Sequence, residues 1–273
     1  MAILPKRDIL REKLDSREII TDRPRPYLGY SGMAASCLRA LKYGFHWSYD
    51  RSHPARVERI FRRGDYEETV LEAEFKTVGV KMYDDQLEVA GGHGYAKGHI
   101  DGKVDNVPGY PGVTMLLEIK TMNDKRFREY SKKGLRETNP TYYGQIMSYM
   151  GKLGLDKTLY VVSNKNDESR AYTVMDFDED EYGRLEDIAN AIPTMTELPE
   201  KIGGKTWFSC KYCDARQVCH YGATVKKTCR SCKNISIEGE GKWGCLLGSS
   251  DLGYEEQLSA CGEYELNEMF NVQ

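Results

Sequence analysis

The chain has 273 residues, 40% of them hydrophobic and 30% charged, a soluble globular composition with enough apolar side chain for a real core. The formal charge is −3, from 39 basic and 42 acidic residues, which excludes a globally basic, histone-like protein but not local basic patches. No stretch approaches the length of uncharged apolar sequence that spans a bilayer, so no transmembrane helix and no membrane partner are expected. The first eight residues lack an apolar segment after their basic residues; no signal peptide is expected, and an intracellular, cytoplasmic location is.

Residues 1–30 are basic and proline-containing, and are expected to form a short helix and then a loop. Ser31 suits the N-cap of a helix running to about Gly44 that carries Cys37 and Leu41. Pro54 suits the first turn of a longer helix, and Gly79 its end. Residues 85–105 read as a hairpin with turn signals at Gly91, Gly92 and Gly94. Residues 113–121 read as a buried strand. Helices are predicted at about 124–134, 139–153 and 178–192, and strands at 157–163 and 170–176. After Pro199 the pattern changes to glycine, cysteine and short polar runs. The order predicts an α/β or α+β core with a cysteine-rich tail.

Several carboxylates fall where apolar residues belong. The stripe Val57, Ile60, Phe61 on the long helix resumes at Leu71 and Phe75, and its spacing passes through Gly64 and Glu68. A glutamate on a buried stripe must be paired, protonated or bound to a cation; the plainer reading is a drifting stripe that leaves Glu68 half exposed beside Glu67. Glu118 interrupts the apolar run 115–119, and Lys120 shares its face of the strand. As buried ion pairs stabilise poorly, an active site explains them better than a structural pair. Asp101, in Gly98-His99-Ile100-Asp101-Gly102, supplies a third carboxylate, with Asp105 its rival by parity. Such hard oxygen donors beside a lysine suit Mg2+ or Mn2+. Tyr142, Gln145 and Tyr149 share one face of the helix at 139–153, where they suit hydrogen bonding to phosphate or to a carboxylate; the plainer reading is a half-buried helix face.

Glu68, Gly-His-Ile-Asp101-Gly, Glu118-Ile119-Lys120 and Gln145-x-x-x-Tyr149, in this order, resemble the PD-(D/E)XK nuclease superfamily. The likeness is to its exonuclease branch, with RecB/AddB-type nuclease domains, lambda exonuclease and the CRISPR-associated adaptation nucleases. The resemblance implies a restriction-endonuclease-like core, a mixed central sheet flanked by helices. It implies that Asp101, Glu118 and the Ile119 carbonyl bind the catalytic Mg2+ or Mn2+, that Lys120 assists the attacking water, and that Glu68, Gln145 and Tyr149 complete the site. The Glu68 form, the stretch from Asn139 to Gln145 and Asn164-Lys165-Asn166 look phage-like, implying a phage-encoded protein acting in a bacterial host.

The eight cysteines are Cys37 and seven in the tail. Clustered thiols with C-x2-C spacing in a reducing compartment suggest metal ligands, with disulfides the plainer alternative. Cys210-x2-Cys213-x5-Cys219 lacks a fourth ligand, which Cys37 or His220 could supply. AddB-type and CRISPR-associated nucleases resemble the chain here too, with one cysteine before the core, as in Ser36-Cys37-Leu38-Arg39, and three after it. That implies a 4Fe–4S cluster on Cys37, Cys210, Cys213 and Cys219. Zinc is its chemical rival, and a buried apolar thiol the plainer reading of Cys37. Cys229, Cys232, Cys245 and Cys261 suit a structural, four-thiolate Zn2+ site. The expected organisation is a nuclease core with N-terminal helices over 1–205, an iron–sulfur segment over 206–222 and a zinc-binding module over 223–273.

Basic runs at 51–63 (Arg51, Arg56, Arg59, Arg62, Arg63) and 125–136 (Lys125, Arg126, Arg128, Lys132, Lys133, Arg136) are candidate phosphate-tracking patches, with Tyr130, Tyr142 and Tyr143 available to stack on bases. The reading is a metal-dependent DNA exonuclease, rather than an endonuclease, in recombination, repair or phage DNA processing. Its partners would be single-stranded DNA or duplex ends and a single-strand annealing or recombination protein. The alternatives are a non-catalytic nucleic-acid-binding or recombination adaptor on the same fold, and an iron–sulfur sensor.

Overall fold

The computed structural model describes residues 8–17, 23–34, 37–51, 54–248 and 251–271. Parts of the expected N-terminal helix and loop (1–7 and 18–22), residues 35–36 of the expected 31–44 helix and Ser36 of the upstream cysteine motif lie outside the described residues. The elements before the long helix are α1 (Ile9–Arg17), β1 (Leu28–Gly29), α2 (Tyr30–Met33) and α3 (Leu38–Phe45). Then come α4 (Ala55–Thr77), β2 (Lys81–Tyr83), β3 (Glu88–Gly91), β4 (Ala96–His99), β5 (Gly102–Asp105) and β6 (Met115–Met122). The crossover α5 (Asp124–Lys133), α6 (Leu135–Thr138), α7 (Pro140–Leu153) leads to β7 (Lys157–Asn164), β8 (Arg170–Asp176) and α8 (Glu179–Thr194). The tail holds α9 (Phe208–Lys211), α10 (Arg216–His220), β9 (Ile235–Gly239), β10 (Lys242–Cys245) and α11 (Tyr254–Leu258).

The central sheet has the order β2-β5-β6-β7-β8, with β6 and β7 parallel and the other pairs antiparallel. Parallel neighbours need a long crossover, and α5 to α7 provide it. The expected mixed α/β core is thus present. Both faces of β6 are covered, which explains why its apolar residues fall on both faces and not in alternation. Leu116 packs with Tyr160, Ile146 and Tyr149 on the α7 side, while Leu117 and Ile119 pack with Leu71 and Phe75 of α4.

Three local expectations change. Residues 85–105 are not one hairpin: β3 and β4 pair in a second sheet with β1, while β5 crosses to the central sheet. The expected helix from Ser31 is interrupted; α2 ends at Met33, and Cys37 caps α3 by accepting from the Ala40 amide at 3.4 Å. The stripe on α4 drifts, so that Phe61 is exposed and Glu67, Leu71 and Phe75, four residues apart, are buried.

The tail shares the core. Trp243 of β10 is buried against Phe45, His46 and Tyr95. The turn between β9 and β10 seats on the turn between β3 and β4, where the Gly241 amide donates to His93 O at 2.9 Å. A Cβ on Gly94 would stand 2.5 Å from the Glu240 carbonyl carbon, so only glycine permits this approach. Trp243→Ala is expected to lower stability by about 3–5 kcal/mol in chemical denaturation, the usual cost of emptying an aromatic core site.

Candidate active site

Strand alternation puts Glu118 and Lys120 on the face of β6 that meets α7. Glu118 is fully buried, and its Oε2 has no hydrogen-bond partner among the described residues. Lys120 Nζ stands 2.5 Å from Glu118 Oε1 and 3.5 Å from Asp101 Oδ2, and donates to the Ile119 carbonyl at 3.0 Å. Asp101 immediately precedes β5, whose Gly102 pairs with Leu117. That register brings Asp101 beside β6, where its Oδ2 accepts the Ile119 amide at 2.7 Å. Its rival Asp105 is engaged elsewhere, accepting from Thr114 at 2.7 Å and Tyr83 at 3.3 Å.

Glu68 approaches from α4. Burial, then the Asp101 carboxylate, push its carboxyl up to about 7. The same two causes raise Glu118. Burial alone would lower Lys120, but Glu118 and Asp101 together hold it well above its ordinary value. One lysine therefore faces three carboxyl groups, and the site carries more negative charge than it can neutralise. Clustered hard oxygens with an unpaired buried carboxylate oxygen suit a divalent cation such as Mg2+ or Mn2+.

Gln145 and Tyr149 arrive together on α7, with Gln145 Nε2 donating to the Tyr149 hydroxyl at 3.2 Å. A Cβ on Gly98 would stand 2.3 Å from that hydroxyl oxygen, so the glycine of the Gly-His-Ile-Asp segment is what admits the tyrosine. The Tyr142 ring lies 5.6 Å from Lys120 Nζ. The site thus brings together Glu68, Asp101, Glu118, Lys120, Gln145 and Tyr149, with the Ile119 carbonyl at its edge.

Two features escaped the sequence reading. Tyr160 pairs directly with Glu118 across β6 and β7, and its buried hydroxyl has no hydrogen-bond partner among the described residues. Only the strand register reveals it. Glu67 is a buried brace, accepting from Ser163 at 2.5 Å and Arg170 at 3.1 Å, which ties α4 to β7 and β8. The i, i+4 row Glu67, Leu71, Phe75 was its signal.

No disulfide joins any of the eight cysteines. Cys37, Cys210, Cys213 and Cys219 line one small cavity of about 20 Å3, with His220 on its wall. Cys229, Cys232, Cys245 and Cys261 line another of the same size. Among the described residues, no group of three or more His, Cys, Asp or Glu side chains has the geometry of a metal site as it stands. In the basic runs, Arg59 pairs with Asp15, Arg63 with Glu168, Arg128 with Asp124, Lys133 with Glu137 and Arg136 with Asp178. Much of that charge is answered within the protein. No described helix is long and apolar enough to cross a membrane.

No protein-family model matches the chain, and no curated protein does. Among solved structures it is similar to SSO0001, at 17% identity and a TM-score of 0.44, over 78% of this chain and 96% of that one. It is also similar to LHK-Exo in complex with dAMP, at 18% identity and a TM-score of 0.44, over 67% of this chain and 90% of that one. A further structure of LHK-Exo, an alkaline exonuclease from Laribacter hongkongensis, gives 17% identity, a TM-score of 0.42, and 66% and 90% coverage. At these values the likenesses carry no argument about chemistry, which rests on the site's own residues.

The raised Glu68 carboxyl sets a pH dependence. It titrates near 4.5 when unfolded and near 7 when folded, so the folded state holds the proton more tightly. The stability this gives is present below the unfolded value and is lost as pH rises through 7. In EDTA the melting temperature is expected to fall across this window, less steeply in Glu68→Gln, and Mn2+ is expected to restore the parent protein above pH 7.

Proposed function

We propose that the protein is a Mg2+- or Mn2+-dependent DNA nuclease of the exonuclease type, of the RecB/AddB-like branch of the PD-(D/E)XK superfamily. The observation that carries this reading is the buried Glu118 carboxylate, whose Oε2 has no hydrogen-bond partner among the described residues, beside Asp101, Glu68 and Lys120. Asp101, Glu118 and the Ile119 carbonyl would hold the ion, with Glu68 in support. A bound divalent ion supplies Lewis-acid stabilisation of phosphoryl charge and acidifies water. Lys120 carries three donors and orients the attacking water or neutralises charge developing on the phosphate. Gln145 and Tyr149 hydrogen-bond the scissile phosphate or hold a ligating carboxylate. DNA, single-stranded or as duplex ends, is the substrate, and recombination, repair or phage DNA processing the setting, with an annealing or recombination protein as partner.

Cys37, Cys210, Cys213 and Cys219 are assigned to a 4Fe–4S cluster, and Cys229, Cys232, Cys245 and Cys261 to a structural Zn2+. Thiolates suit both groups. The support is that each set of four lines a single cavity.

Assay of end-labelled DNA with Mg2+ or Mn2+ tests the activity. Asp101→Ala and Lys120→Ala are each expected to lower cleavage at least about 100-fold, on the scale of losing a charge-stabilising group. Undiminished cleavage by both folded variants would overturn the assignment. Anaerobic purification with metal and sulfide analysis is expected to give about four iron and four sulfide and one zinc per chain, following the ligand sets. Cys229→Ser is expected to release the zinc and lower the melting temperature.

A further inference from the structure

Gln145 and Tyr149 line a polar cavity of about 300 Å3 that Arg25 and Lys97 also wall. Arg25, Tyr27, Gly29 and Ser31 belong equally to a second cavity of about 130 Å3, which continues along α3 to Tyr49, Arg51 and Lys226. The two cavities adjoin across these four residues, one beside the active-site helix and the other reaching the cysteine-bearing tail. The far end of the second is built by that tail: Lys226 lies seven residues past Cys219, and Arg51 pairs at 3.6 Å with Asp214, next to Cys213.

The lining is selective in charge. Arg25, Arg51, Lys97 and Lys226 face the two cavities, and among the described residues no aspartate or glutamate lines either. Yet the whole chain is net acidic. The partners of Lys97, Arg51 and Lys226, which are Glu88, Asp214 and Asp50, all stand off the walls. Two glycines make room for the guanidinium groups. A Cβ on Gly29 would stand 2.9 Å from Arg25 Nη1, and one on Gly44 would stand 3.2 Å from Arg51 Nη2. Half-buried tyrosines, Tyr27 and Tyr49, add aromatic faces, and the Arg51 guanidinium lies 5.6 Å from the Tyr49 ring. Cations that follow a backbone beside rings that stack on bases are what a single nucleic-acid strand requires.

We propose that the cavity bounded by Tyr49, Arg51 and Lys226 is a strand-binding subsite, holding a nucleotide of the same DNA strand beyond the one in the active site. The proposal rests on the nuclease reading for its substrate. It gives the tail a role in substrate binding as well as in closing the fold.

The test is fluorescence anisotropy of the full-length protein with a short fluorescein-labelled single-stranded oligonucleotide, titrated in EDTA at several salt concentrations. Lys226→Ala is expected to weaken binding several-fold and to reduce the slope of log K against log salt by about one. Lys226→Gln, which keeps most of the stem, is expected to do the same. Tyr49→Ala is expected to weaken binding about tenfold with the salt slope unchanged, as for a lost stacking contact. Lys157→Ala, which removes a lysine paired with Asp176 at the end of β7, is the control and is expected to bind like the parent. Parental binding by Lys226→Ala, Lys226→Gln and Tyr49→Ala overturns the subsite, as does equal weakening by Lys157→Ala. If the parent binds, the subsite variants weaken it and no cleavage occurs with Mg2+ or Mn2+, the subsite stands and the nuclease reading falls. If cleavage occurs and the subsite variants bind normally, the subsite alone falls.

Discussion

The arrangement of the core follows from one costly element, the carboxylate of Glu118 buried at the middle strand of the central sheet. A charge there needs compensation, and Lys120, two residues on and on the same face, supplies part of it. A structural ion pair would end there. Instead, the β5–β6 register adds Asp101 and α4 adds Glu68, so the surplus of negative charge is constructed rather than incidental. Burial first, and then the neighbouring Asp101 charge, raise the Glu68 and Glu118 carboxyls. Buried like charges of this kind cost stability, so their convergence is not explained by packing alone.

The elements around the cluster are held with corresponding care. Glu67 and Glu68 are consecutive on α4 and therefore point in different directions. The first is locked to Ser163 and Arg170, which fixes the rotation of the helix and so the direction of the second. On the other side, Gly98 lets Tyr149 lie against the β4 backbone, where no side chain would allow it. The strands beside Asp101 and Glu118 thus have one support from α4 and another from α7, and each depends on a residue outside the cluster, Glu67 or Gly98.

Much of this was legible in the sequence, for reasons that differ between elements. β6, β7, β8 and α7 follow from clear apolar runs or helical spacing with good caps: Asn139 accepts the Tyr142 amide, and Gly154 ends α7 in the left-handed region. Glu118 and Lys120 stood out because they break an apolar strand. Asp101 was legible as a residue type, but its advantage over Asp105 was not, since parity alone treats them alike and only the β5–β6 pairing separates them. The 85–105 region misled because its turn glycines mark a real hairpin, while the strand that follows is recruited by the other sheet. The stripe on α4 misled because a charged residue, Glu67, occupies the buried row, and an apolar count passes over a glutamate whose partners lie about 100 residues away.

The tail was the least legible part, because its contribution is made by single residues at long range. Arg230, between Cys229 and Cys232, is buried between the Trp47 and Trp243 rings, with its guanidinium carbon 3.8 and 4.1 Å from their centroids. Burial pushes its pKa down to about 9, and no carboxylate pairs with it among the described residues. Its donors go instead to the Phe45 and Pro26 carbonyls and to Gln257. Three successive carbonyls of the N-terminal segment are fixed in this way: Pro24 by the Tyr254 hydroxyl, Arg25 by the Trp47 indole and Pro26 by Arg230. Two of these donors belong to the tail, and the third stacks on Arg230. The segment they hold carries Arg25, which walls the cavity beside Gln145 and Tyr149. A residue between Cys229 and Cys232 thus helps hold, across 204 residues of sequence, the backbone from which this cation reaches the cavity.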